Sequence, residues 1–100
     1  MSASLSPDAG SETEVITVRY WASARSAAGV DADRLPVDGP ISLTEVVARA
    51  VGLHPGSRLA EVLHVCSVLV GDRPVASAEP DDVPVAPGSS VEFLPPFAGG

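Results

Sequence analysis

An α+β fold is predicted: a mixed sheet of four or five strands packed on one main helix, with a short second helix. Three observations predict it. Period-two alternation marks strands at "EVITVRYWA" and "SVEFL", and one amphipathic stripe marks a helix at "ISLTEVVARAVG". The order runs strands, helix, strands within 100 residues, enough for one domain with a single core.

Residues 1–13 are Ser, Ala, Gly, Pro and acid, too polar to offset the entropy of ordering. They are expected to be a loose acidic tail ahead of a domain spanning 14–96. This stretch has neither the basic start nor the apolar run of a signal peptide, so a cytoplasmic protein is expected. In the first strand Ile16, Val18 and Tyr20 share one face, and Thr17, Arg19 and Trp21 the other. "ARSAAGVDA" follows, and its small residues and Gly29 predict a turn. "DRLPVDG" predicts a weaker strand at an edge, because Pro36 cannot donate to a ladder.

The main helix opens with Ser42 as cap and Glu45 three residues on, a capping box, with Ile41 and Val46 placed for a hydrophobic staple. Leu43, Val46, Val47, Ala50 and Val51 form its apolar stripe; Gly52, then Pro55–Gly56, end it. "SRLAEVLH" predicts the second helix, capped by Ser57. "VCSVLV" is short and Val-rich, which predicts a buried strand, turning at Gly71–Asp72 into a short partner. Pro80, Pro84 and Pro87 predict loop, with a turn at Pro87–Gly88. In the last strand Val91 and Phe93 point one way, Glu92 and Leu94 the other. A right-handed crossover lets this strand lie parallel to the first, mid-sheet. That architecture is the ubiquitin-like β-grasp.

Composition narrows the partners. A net charge of −7 disfavours nucleic acid and anionic membrane and favours a basic protein partner. No run approaches 18 apolar residues, so no membrane span is expected. Cys66 is the single cysteine, and neither His54 nor His64 has companions at ligand spacing, so no disulfide or metal site is expected. Cys66 reads as a small buried hydrophobe rather than a redox group. His54 reads as loop, and His64 as the end of the short helix.

The chain finishes "FLPPFAGG". The proline pair forces an extended path off the sheet after Leu94. Beyond it Phe97, Ala98, Gly99 and Gly100 could reach roughly 13–14 Å, into another protein's pocket. Two glycines let a tunnel wall approach the backbone closely. A terminal carboxylate is an anion at neutral pH and a poor electrophile. It becomes a reagent once a partner converts it with ATP into an acyl-adenylate, which a persulfide sulfur can displace.

This ending, together with "VRYWASARSAAG", resembles the small sulfur-carrier subunits of molybdopterin synthase, the MoaD/ThiS-like members of the ubiquitin-like family. In them the first strand leads into an aromatic-aromatic-Ala-x-x-Arg pattern ending in Gly, matched here by Tyr20, Trp21, Ala22, Arg25 and Gly29. The family commonly has Glu after the Arg, where this chain has Ser26. The resemblance covers about residues 14–100. It implies a β-grasp carrier that is not an enzyme on its own. Gly100 would be adenylated by a ubiquitin-activating-like adenylyltransferase and thiolated by a persulfide-carrying sulfurtransferase or desulfurase. The carrier binds no cofactor itself; ATP is used by the activating partner. Two carriers and two large catalytic subunits would form a heterotetramer. There the thiocarboxylate gives sulfur to a cyclic pyranopterin monophosphate, building the molybdopterin dithiolene of the molybdenum cofactor.

Four residues are candidates for the partner interface. Trp21 and Leu94 would form an outward apolar patch beside the tail, unless a loop or helix covers them. Phe97 would plug a partner groove. Arg25 could clamp a partner's carboxylate or merely decorate a turn. Two alternatives remain: the same loaded terminus serving thiazole, cysteine or tRNA thiolation or protein conjugation, and a ubiquitin-like binding module whose terminus is idle.

Overall fold

The structure is a computed structural model and describes residues 14–75 and 79–96. Strand β1 (Val15–Tyr20) buries Ile16, Val18 and Tyr20, as its alternation requires. Helix α1 (Ala22–Ala28) follows, then β2 (Ala32–Pro36) and a two-residue strand β3 (Ile41–Ser42). Helix α2 (Leu43–Gly52) and helix α3 (Leu59–His64) come next. Strands β4 (Ser67–Val70) and β5 (Arg73–Pro74) precede a 3-10 turn at Pro80–Asp82, and β6 (Pro84–Val85) and β7 (Ser90–Leu94) close the order.

Among the described residues the main sheet has five strands in the order β2-β1-β7-β4-β5, and β3 pairs with β6 beside it. Strand β7 lies in the middle, parallel to β1 and antiparallel to β4. Its register sets Phe93 beside Tyr20 on one side and Val68 on the other. Pro36 falls in edge strand β2, where a missing N–H costs least. One core joins the inner sheet face to Leu43, Val46 and Ala50 of α2 and to Leu59 and Leu63 of α3. Burying Phe93 or Ile16 alone stabilises the fold by about 1.5–3 kcal/mol.

The N-cap of α2 is Ser42, as predicted, but its capping box is not closed. The Glu45 N–H donates to Ser42 Oγ at 3.1 Å. The Glu45 carboxylate, rather than closing the box, accepts from Arg49 Nε at 3.0 Å. The residue at the N-cap of α3 is Arg58, not Ser57 as the sequence predicts; Ser57, one position earlier, still accepts from the Leu59 N–H through Oγ at 3.2 Å.

Three further expectations need correction. The segment read as a turn, "ARSAAGVDA", is mostly helix α1, and Gly29 is its left-handed C-cap, φ 81°, donating to Arg25 O at 2.8 Å. Alanine favours helix without leaving an apolar stripe to read. Next, "VCSVLV" is not a fully buried strand. Val65 and Cys66 still bond back to α3, and β4 is only half-buried, having just the two residues of β5 beyond it. Finally, the proline-rich loop contains β6, whose Val85 pairs with Ile41 and is fully buried. The Gly71–Asp72 turn is as predicted: φ is 56° and 77°, the double left-handed geometry of a tight hairpin.

Candidate functional site

Strands β1 and β7 end side by side, at the root of the C-terminal segment. Tyr20 and Phe93 face the core with rings stacked, centroids 6.4 Å apart and planes at 21°. The Trp21 N–H then donates to Phe93 O at 3.2 Å, carrying the pairing one residue past the strand. From there the chains diverge. Ala22, with a left-handed φ of 50°, swings the first chain into α1, while Pro95 and Pro96 follow the last strand residue of the other, Leu94.

The core side of this junction is braced by a polar cluster. The Tyr20 hydroxyl donates to Asp33 Oδ2 at 2.8 Å, and His54 Nε2 lies 2.6 Å from the same oxygen. A carboxylate oxygen only accepts, so the His54 proton belongs on Nε2. The His54 ring also meets Tyr20 edge-on, at 6.2 Å between centroids. Burial, then the Asp33 hydrogen bond and its charge, push the Tyr20 phenol far above its ordinary range. His54 is thus in a loop, as read, yet its side chain links α2's end to β1 and β2. Sequence reasoning missed this cluster. The available signal was Asp33 at an inward position of β2, alternating with Leu35 and paired with Val18, two residues before the only tyrosine on the same face; a buried phenol usually needs a partner.

On the outer face Trp21 is 43% exposed. No loop or helix among the described residues closes over it. Its Nε1–H donates to Glu92 Oε1 at 3.0 Å, and the Arg19 guanidinium carbon lies 6.0 Å from the ring centroid, a cation–π contact. Glu92 of β7 and Arg19 of β1 therefore both hold the indole on the outer face. Leu94, half-buried, follows Glu92 by two on the same face, so Trp21 and Leu94 share it as expected. Arg25 stands on α1, not on a turn, with Nη1 3.7 Å from Asp31 Oδ1. Both groups of that pair are exposed, so it stabilises little and leaves the guanidinium available. Arg19, Trp21, Arg25 and Asp31 rim a small hollow of about 130 Å³.

Phe97, Ala98, Gly99 and Gly100 lie outside the described residues. Their root does not: Pro95 and Pro96 line a groove with Val62 and Val65. A separate hollow of about 350 Å³ between α2, α3 and β4 is lined by Leu43, Val47, Leu63, Cys66 and Val68. Cys66 Sγ donates to Val62 O at 3.2 Å, and burial pushes the thiol up to about 11. The thiolate, the reactive form, is correspondingly scarce. His64 ends α3 as predicted.

With this geometry in place, comparison with known proteins is decisive for kinship. A profile of the ThiS family matches residues 18–100, from the middle of β1 to the final glycine. The chain belongs to the ThiS family. Among curated relatives, the molybdopterin synthase sulfur carrier subunit of Aspergillus niger is 30% identical over 90 residues, covering 90% of this chain and 99% of that protein. Among solved structures, SAMP1 from Haloferax volcanii superposes with a TM-score of 0.71 at 22% identity, over 86% of this chain and 99% of that one. Subunit 1 or 2 in the Helicobacter pylori complex of molybdopterin-converting factor gives 0.59 at 22% identity, over 86% and 99%. These likenesses show the ubiquitin-like β-grasp, which this ThiS family member therefore has.

Proposed function

We propose that this ThiS family chain is the sulfur-carrier subunit of a molybdopterin synthase, with Gly100 as the loaded residue. The observation that carries the proposal is the relation to the Aspergillus niger carrier subunit, which spans nearly the whole of both chains. The described geometry supports it: β7 stops at Leu94, and Pro95–Pro96 follow it beside an exposed Trp21.

The chemistry follows from what a carboxylate lacks. The terminal carboxylate attacks the α-phosphorus of ATP on the adenylyltransferase, releasing pyrophosphate and leaving an acyl-adenylate. A persulfide on the sulfur donor attacks the carbonyl, and AMP departs with the C–O electron pair. A second thiol cleaves the resulting acyl disulfide; the donor ends oxidised as a disulfide and Gly100 as a thiocarboxylate. In the large subunit that sulfur bonds to a side-chain carbon of the cyclic pyranopterin monophosphate as a C–O bond of that carbon breaks and its oxygen leaves with the electron pair. Water then cleaves the thioester, leaving the sulfur on the pterin and a carboxylate on Gly100. Two loaded carriers supply the two sulfurs of the dithiolene. The carrier contributes reach and recognition, through Trp21, Arg25, Leu94 and Phe97; its partners supply the catalysis.

Reconstitution tests this. Thiocarboxylated carrier, mixed with the large synthase subunit of its own organism and the pyranopterin substrate, is expected to yield molybdopterin. Carrier lacking Gly100 is expected to yield none while unfolding as cooperatively as the intact chain. Molybdopterin formed by the truncated carrier would overturn the proposal. A loaded carrier that serves only thiazole, cysteine or tRNA thiolation or protein conjugation would assign the chain to one of those fates.

A further inference from the structure

We propose that the groove between α1 and α3 at the root of the tail is a second docking surface for the large synthase subunit, one that accepts an apolar side chain against Val62 and Val65. The inference rests on the sulfur-carrier reading. Ser23, Arg58, Val62, Val65, Pro95 and Pro96 line a hollow of about 300 Å³. It continues into another of about 580 Å³ that shares Ser23, Arg58 and Val62. The cause is local. The α1 side chains facing the furrow, Ser23, Ser26 and Ala27, are too small to fill the space against α3. Val65 is left 58% exposed, the most exposed large apolar residue among those described.

The length of chain beyond Pro96 indicates what covers it. Four residues lead from Pro96 to Gly100, spanning roughly 13–14 Å if extended. A protein that encloses Gly100 in a pocket must therefore bring its own surface within that distance of Pro96. Pro96 is itself a wall of the groove, so the groove is within reach of that same surface. Its rim carries the Arg58–Glu61 pair, Nε to Oε1 3.1 Å, and stays charged. The matching surface is an apolar side chain within a polar surround, the usual anatomy of an interface core and rim. This surface lies on the helical side of the tail root, apart from the outer-face set of Trp21 and Leu94.

The test uses the full chain and the large synthase subunit, with affinity measured by calorimetry. Val65→Glu places a charge in the groove, and Ser23→Trp fills it. Leu53→Glu, at an apolar position 51% exposed that lines neither hollow, is the control. The first two variants are expected to weaken binding by about tenfold or more, and the control to stay within about twofold. All three are expected to unfold cooperatively near the wild-type midpoint. Wild-type affinity in both groove variants would overturn the docking surface and leave the carrier reading intact. No binding by the wild-type chain would overturn both.

Discussion

The Tyr20 hydroxyl and Asp33 Oδ2 are joined by a 2.8 Å hydrogen bond that ties the end of β1 to β2 from inside the molecule. Its donor is the residue stacked on Phe93, three positions before the last described residue, so the bond braces the base of the tail. Tyr20→Phe is expected to cost about 2 kcal/mol, the worth of a hydrogen bond to a charged acceptor. Asp33→Ala is expected to cost more, because it leaves both the phenol and His54 without their shared partner. Urea unfolding followed by the fluorescence of the single tryptophan, Trp21, measures both. Equal stability of Tyr20→Phe and wild type would show that the bond contributes nothing net.

Alkaline pH should expose the same contact. The folded Tyr20 phenol is held above its ordinary value of 10.0 by burial first and by Asp33 second. Below that value neither the folded nor the unfolded chain loses the proton. Above it the unfolded chain ionises and the folded one does not, so stability falls as pH rises past about 10. Tyr20 is the only tyrosine, so phenolate absorbance near 295 nm reports it alone. The absorbance is expected to rise together with the loss of structure. A phenolate signal appearing near pH 10 in still-folded protein would contradict the buried arrangement.

Trp21 separates recognition from stability. Its indole is exposed and held by Glu92 and Arg19 on the surface, outside the core. Trp21→Ala is expected to change folding stability by less than about 1 kcal/mol while weakening binding to the large synthase subunit by about tenfold. Calorimetric titration alongside thermal unfolding checks both. Unaltered binding would remove Trp21 from the interface.

Legibility in the sequence tracked burial. Strands β1 and β7 were readable because each is buried on one face only, so Ile16, Val18, Val91 and Phe93 alternate cleanly with exposed or half-buried neighbours. Helix α2 was readable for the same reason at helical period, with Ser42 marking its start. Helix α1 was not, because it packs through Ala24 and Ala28, which differ little in hydropathy from the residues around them. Strands β3 and β6 are two residues each, too short for any period, and Pro84 argues against a strand. Of the candidate site, the exposure of Trp21 and the strand end at Leu94 could be read from alternation and the prolines. The bracing by Asp33 and His54 could not, since a contact across 21 residues exists only once β2 and the end of α2 are brought together.

The chemical state of the terminus decides most directly whether this chain carries sulfur. Carrier incubated with its adenylyltransferase, ATP and a persulfide sulfur donor is to be weighed intact and then fragmented. The predicted result is the mass gain of one oxygen exchanged for one sulfur, localised to Gly100. An unchanged mass after complete ATP turnover by the activating enzyme, or sulfur found on Cys66 and not on Gly100, would contradict it.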